Sequence, residues 1–492
     1  MRMCGMVLVV FAASAAGAAE FSYLPEGRSG LEVPEAIWER VCAETGFAGR
    51  ALGYTAEEMA NYGRAPHCLL PVESLFRDVR LVPRFTGRAG DGLIARLDDP
   101  AGAVWYAYRL LGVSAARGVN APAPGTFGVD WIPEGADAHA ALDALLARTP
   151  PGEPIGILAG EERTRWAALP DPLKRLALHA LIGAMEAAPL LRQAFDREFL
   201  ARALGGAEAT PATLYGLATE PWTRDVPSRA SLEAPDRVDL AYLAFGSVVL
   251  LRHVEAGLRE FGEAGGVDFS GVRTLCLATP VGPLVILGPD DDEAPEGSAV
   301  VIDTGGNDQY RGRHAVPLSL DRPVGLVIDL AGDDHYDAGE GTAALACGNH
   351  GVGALFDLAG NDRYSAEESG VACAWYGTGL LVDRAGDDHY SGGRWVMGAA
   401  HAGVALLLDR SGRDRYECRT EAQGFGGTLG AGVLLDGAGN DEYAADLRGN
   451  VSEPFRGQSV SFVQGAGFGR RADFGDGHSL AGGIGLLVEA GG

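Results

Sequence analysis

The chain has 492 residues, 47% of them hydrophobic, with a formal net charge of −26. That composition supports a sizeable core and excludes a wholly disordered chain. The acidic balance excludes nucleic acid and anionic membrane surfaces as partners, because both are gripped through basic faces, and it suits cation binding.

Residues 1–19, MRMCGMVLVVFAASAAGAA, have the form of a secretory signal: Arg2, a short apolar core from Val7 to Ala13, and small residues before Glu20. This predicts export to the periplasm, the cell surface or the medium. No later segment offers about 18 uninterrupted apolar residues, so no membrane span is predicted. Six cysteines remain after residue 19, and their spacing fits no paired Cys-x-x-Cys zinc site. An oxidising compartment permits disulfides, and Cys42 with Cys68 is one candidate pair.

Residues 20–271 read as an α-helical domain with proline-rich loops. Helices are predicted at Pro34–Thr45, Ala103–Val113, Asp137–Arg148, Asp171–Leu204 and Asp236–Gly262 from apolar residues at helical spacing. Pro189 should break or kink the fourth. Val119–Pro133 and Ala207–Pro235, rich in Pro, Thr and Ser, read as loops, and so do the acidic runs Glu161-Glu162 and Asp290–Glu293. No nucleophile elbow, phosphate-binding loop or HExxH pair occurs, and His179 and His253 read as packing residues.

The texture changes at Val272, where residues 272–492 begin a repeat domain. Two apolar runs in Val272–Gly288 predict a strand pair that caps the first coil of that domain. Then Asp-x-x-Gly-x-Asp-x-Tyr occurs six times, from Asp303, Asp329, Asp357, Asp383, Asp409 and Asp436, at steps of 26, 28, 26, 26 and 27 residues. A fixed period in this range is the mark of a stacked repeat. With the first Asp as position zero, three apolar residues precede it in every unit except for Ala354. Position +3 is always Gly, +5 Asp, +7 Tyr and +9 small. Strand, turn, strand and a glycine-rich return make one coil of about 26 residues, and parallel stacking puts equivalent positions in ladders. The predicted fold is thus α+β: a helical part followed by a parallel β-solenoid. Cys347 and Cys373 fall at one position in neighbouring coils, as a disulfide or as two packed thiols. Gly485–Gly492 opens a seventh unit with Glu489 for Asp, which reads as a terminal strand or a truncated coil, the latter preferred.

The ladders stack Asp303, Asp329, Asp357, Asp383, Asp409 and Asp436 in one row, and Asp308, Asp334, Asp362, Asp388, Asp414 and Asp441 in another. Like charges about 5 Å apart repel by roughly 3 kcal/mol at an effective dielectric near 20. Turn amides, shared protons or cations, Ca²⁺ above all, would relieve this. Arg413, at +4, reads as one place where a side chain replaces a cation.

Gly306-Asn307-Asp308-Gln309-Tyr310 and its equivalents resemble the Gly-x-Asp-x-apolar turn of the secreted RTX calcium repeats. That resemblance implies a parallel β-roll with Ca²⁺ between turns and these aspartates as ligands. The RTX unit is shorter, and Asp stands here where its leading glycine pair begins. The whole unit, with Gln423–Asp436, also resembles repeats of uncharacterised secreted bacterial proteins, which implies no activity.

Regular ladders favour a non-enzymatic structural or binding role. The alternative is a polysaccharide lyase or hydrolase on a β-helix, by fold analogy alone. Its groove would use the residues that interrupt the rows: His350, Trp375, Arg394, Trp395, His401 and Glu421. Polysaccharide or a cell-surface component is then the partner class.

Overall fold

The computed structural model describes residues 81–113, 137–146, 160–224, 226–339, 343–445, 461–470 and 479–491, with a few isolated positions before residue 81. Residues 1–19, Cys42, Cys68 and the expected loop Val119–Pro133 lie outside the described residues.

Helices come first: α1 (Val82–Ile94), α2 (Pro100–Leu110), α3 (Ala138–Leu146), α4 (Glu161–Ala168), α5 (Asp171–Gln193), α6 (Arg197–Ala203), α7 (Pro211–Thr223), α8 (Arg229–Glu233) and α9 (Leu240–Ala264). Four of the predicted helices lie among the described residues and are present there. The helix from Asp171 runs through Pro189 to Gln193 and ends only where Asp196 caps α6 by accepting from the Phe199 amide. One lost amide donor is offset by the packing of both flanking turns. The predicted loop Ala207–Pro235 holds two helices instead. Pro211 sits in the first turn of α7, where its missing N–H costs nothing, Thr210 caps it, and Leu214, Tyr215 and Leu217 are buried. Glu161 and Glu162 are exposed but helical, and they begin α4.

Strands begin with an antiparallel hairpin, β1 (Leu275–Thr279) and β2 (Gly282–Ile286). β2 pairs in parallel with β3 (Val300–Asp303), so the hairpin covers the first coil as the sequence predicts. From there the chain winds a three-faced solenoid. A nine-stranded sheet runs in the order β1-β2-β3-β5-β8-β11-β14-β18-β20, where β5 is Val324–Asp329, β8 Val352–Asp357, β11 Thr378–Asp383, β14 Gly403–Asp409, β18 Gly430–Asp436 and β20 Ile484–Glu489. A seven-stranded sheet joins β4 (Gln309–Arg311), β6 (His335–Asp337), β9 (Arg363–Gly370), β12 (His389–Val396), β15 (Arg415–Cys418) and β19 (Glu442–Ala445), with β16 (Thr420–Ala422) beside β12. The third face holds β7 (Cys347–Asn349), β10 (Cys373–Trp375), β13 (Ala399–His401) and β17 (Phe425–Gly426).

Register is strict. Asp303 pairs with Asp329, Asp329 with Asp357, and so on to Asp436 with Glu489. The unbroken apolar runs before each Asp follow from burial on both faces of the nine-stranded sheet. Val301, Val327, Leu355, Leu381, Leu407 and Leu434 point inward to the tyrosines. Their neighbours, such as Ile302, Ile328, Phe356 and Leu380, point outward into a core shared with Leu181, Phe245 and Leu250 of the helices. The helical part is therefore the outer layer of this sheet. Tyr108 and Ser247 pin it there through Thr378, at 2.7 Å each. By length and composition α9 is apolar enough to cross a membrane, yet 78% of its most apolar window is buried inside the structure.

Candidate functional site: the buried carboxylate ladders

Each turn places its two aspartates and its tyrosine by one local rule. The strand ends at the first Asp, glycine at +3 leaves room for the carbonyl of the preceding coil, with a positive φ only at Gly306, and the alternation of the next strand sends +5 and +7 inward while +6 faces out. Gln309, Arg363, His389 and Arg415 at +6 are half-buried or exposed, whereas the twelve aspartates are buried except for half-exposed Asp441. The run Asp290–Glu293, which reads as a solvated loop, forms part of this architecture: Asp291 accepts from the Asn307 amide at 2.9 Å, and the Asp292 amide donates to Asp308. It supplies the turn that the first coil would otherwise lack.

The tyrosines form the predicted aromatic row, with ring centroids 4.4 to 4.9 Å apart and planes within 19°. Each hydroxyl lies between two carboxylates. Tyr310 reaches Oδ2 of Asp303 at 2.7 Å and of Asp329 at 2.8 Å. Tyr336, Tyr364, Tyr390 and Tyr416 repeat this, and Tyr443 bridges Asp436 to Glu489 at 3.0 and 2.7 Å.

The second row is held differently. From the second coil on, Oδ1 of each +5 Asp accepts from the amide of the +5 Asp one coil earlier, as in Asp334 to Asp362 and Asp362 to Asp388, both at 2.6 Å. Its Oδ2 is left over. In all six coils that oxygen is buried without a hydrogen-bond partner, as are Oδ1 of Asp329, Asp357, Asp409 and Asp436 and Oε1 of Glu489. The two rows thus turn unpartnered oxygens into one seam. Burial, and then repulsion between neighbours, pushes the carboxyls up: Asp303, Asp334 and Asp388 to about 9, Asp362 to about 8 and Asp414 to about 7.

Buried carboxyl oxygens without partners repeat coil after coil, in clusters that could hold a cation. Four groups of three carboxylates bring an oxygen each within 4.8 Å of one another: Asp329, Asp334, Asp357; Asp357, Asp362, Asp383; Asp388, Asp409, Asp414; and Asp414, Asp436, Asp441. That spread matches a cation about 2.4 Å from each oxygen. The turn glycines add to the fit. A Cβ on Gly360 would meet the Gly332 carbonyl and Oδ2 of Asp362, so only glycine keeps this cradle open for oxygens. Ten of the twelve predicted aspartates fall in these groups; Asp303 and Asp308 of the first coil do not. Arg413 replaces no cation. Its side chain is exposed, and its amide donates to Asp387 as the other +4 amides donate to their neighbours.

The residues that interrupt the rows lie elsewhere. His350, Trp375, Trp395 and His401 are buried beneath the helices. Trp222 of α7 meets Trp395 edge-on at 5.0 Å and His401 at 5.5 Å, and Tyr215 meets Trp375 at 5.8 Å. Arg394 pairs with Glu421 at 3.2 Å. The structure brings His350, Trp375, Trp395 and His401 together as the contact between helices and solenoid, while Arg394 and Glu421 pair on the seven-stranded sheet.

One constellation escapes a position-by-position reading of the sequence. α5 and α9 pack antiparallel, and each carries His-x-x-x-Gly-x-x-Glu: His179, Gly183, Glu186 and His253, Gly257, Glu260. His179 Nε2 meets Glu260 at 3.2 Å, His253 Nε2 meets Glu186 at 3.1 Å, and each Gly faces the opposite histidine's Cβ. The signal was the motif's recurrence on two helices, visible only by comparing them. Gly257→Ala puts a methyl 2.9 Å from that Cβ and should cost about 1–3 kcal/mol of stability in denaturant unfolding.

No family model, curated protein or solved structure matches this chain, so its function is read from this geometry.

Proposed function

We propose that this chain is an exported, non-enzymatic scaffold or binding protein whose solenoid coils are tied together by Ca²⁺ held between the two aspartate rows. The observation that carries this reading is the seam of buried, unpartnered carboxylate oxygens repeated in every coil. A bound cation supplies positive charge there; Asp334, Asp357, Asp362, Asp383, Asp409 and Asp414 are among the residues that hold it. Oxygen-only donors favour a hard cation, and the ladder's repeat spacing suits the looser coordination of Ca²⁺ over the strict octahedron of Mg²⁺. The polar outer face of the seven-stranded sheet, with Arg363, His389, Arg415 and Glu442, then serves as the platform toward a polysaccharide or another cell-surface component.

Equilibrium dialysis of the full chain against Ca²⁺ tests the reading. Several ions should bind per chain, an equal concentration of Mg²⁺ should displace few of them, and the double variant Asp362→Asn/Asp388→Asn should bind fewer. Absence of bound Ca²⁺ at millimolar concentration rejects it. Export is tested separately, by fusing residues 1–19 to a reporter enzyme active only outside the cytoplasm.

A further inference from the structure

β7 and β10 are neighbouring parallel strands with Cys347 directly opposite Cys373. Their sulfurs lie 2.8 Å apart, and both side chains are fully buried. In-register parallel neighbours sit about 4.8 Å apart, inside the Cα range a disulfide spans. The same position in the next two coils is Ala399 and then Phe425, so sulfur meets sulfur at this one step of the row. Both sulfurs belong to the same buried core as Ala343, Val352 and Leu380.

We propose that Cys347 and Cys373 form a disulfide that staples two consecutive coils beneath α7. In the first step one cysteine, as thiolate, attacks a small disulfide oxidant such as glutathione disulfide and releases one glutathione thiolate. The second cysteine, as thiolate, then attacks the cysteine sulfur of the mixed disulfide and releases the other. Two protons leave the protein, and two electrons reduce the oxidant to two thiols. The reaction must precede closure of the core, because the folded chain shields both sulfurs and burial pushes the Cys373 thiol far above its ordinary range. The link closes one whole coil and holds the third face, where Trp375 donates to Ser369 and Ser369 also meets Tyr215. It depends on neither cations nor the proposed role.

The test refolds the full chain with glutathione disulfide, alkylates it with iodoacetamide in denaturant, and digests it with trypsin without reduction. Cleavage places Cys347 in the peptide 314–363 and Cys373 in 364–384, since the Arg322–Pro323 bond resists trypsin. The expected result is one linked species of these two peptides that separates on reduction. Reductant should also weaken the folding equilibrium of the wild type about a hundredfold, and leave Cys347→Ala/Cys373→Ala unchanged. Recovery of both peptides separately alkylated, or linked to any other cysteine peptide, overturns the proposal. So does an equal effect of reductant on wild type and double variant.

Discussion

In millimolar Ca²⁺ the thermal midpoint of the full chain should exceed that of the chelated protein by about 10 °C, and the gap should widen as pH rises from about 5 to about 8. The size follows from linkage. Each site filled at a hundred times its dissociation constant adds about 2.7 kcal/mol, four carboxylate groups are present, and a chain this long shifts its midpoint by only a degree or two per kcal/mol. The sign of the pH dependence follows from the raised carboxyls. An aspartate near 3.9 when unfolded but near 9 when folded, as for Asp303, Asp334 and Asp388, binds more protons in the folded state. Without metal its contribution is fully present below the unfolded value and is lost progressively as pH climbs to the folded one. Cations and protons compete for the same oxygens, so the metal-free protein weakens with rising pH while the Ca²⁺-loaded one does not. A midpoint unmoved by Ca²⁺ at pH 8 would sink this expectation, and turn amides and protons alone would then hold the ladder.

Tyr364→Phe should lower stability by about 2–4 kcal/mol, and Tyr364→Ala by about 5 kcal/mol. The phenylalanine keeps the stacking between Tyr336 and Tyr390 at 4.8 Å on either side. It removes the hydroxyl shared by Asp357 and Asp383, both fully buried, and leaves Oδ2 of each with one tyrosine partner instead of two. The alanine opens a cavity in the middle of the row as well. Tyr443→Phe is the internal comparison, expected to cost less than half as much because that ring is only partly buried. Guanidinium unfolding followed by circular dichroism measures all three. A Tyr364→Phe variant within about 0.5 kcal/mol of wild type would show that the hydroxyl contributes no net stability.

Much of this was legible before any coordinates, for a physical reason. A coil that recurs at one period exposes its rules by repetition: the apolar triplet, the turn glycine, the Asp and Tyr of alternating faces. Glu489 could be placed opposite Asp436 from sequence because register in a solenoid is inherited from the previous coil. The helical part has no such redundancy. Pro211 and Pro221 fall in Ala207–Pro235, which reads as a loop, although one starts α7 and the other lies within its last turn. The row-breaking aromatics read as a groove because nothing in a linear sequence says which face of a solenoid another segment covers. His350 and Trp395 adopt left-handed backbone angles, φ of 56° each, an unusual setting for bulky residues that side-chain type does not announce.

The tyrosine row carries one more implication. Its six hydroxyls and seven carboxyls are joined by twelve hydrogen-bonded links, but six phenols bring only six protons. In the cation-free ladder, filling every link takes six more, from the carboxyls themselves, and leaves one of the seven ionised. The arrangement obeys the same counting rule as ice: each oxygen between the ends gives one hydrogen and accepts one, except at the lone anion, which accepts from both sides. Donation runs toward that anion from either end of the row. Wherever it sits, the hydroxyls on each side turn to face it, so the charge belongs to the ladder and to no single aspartate.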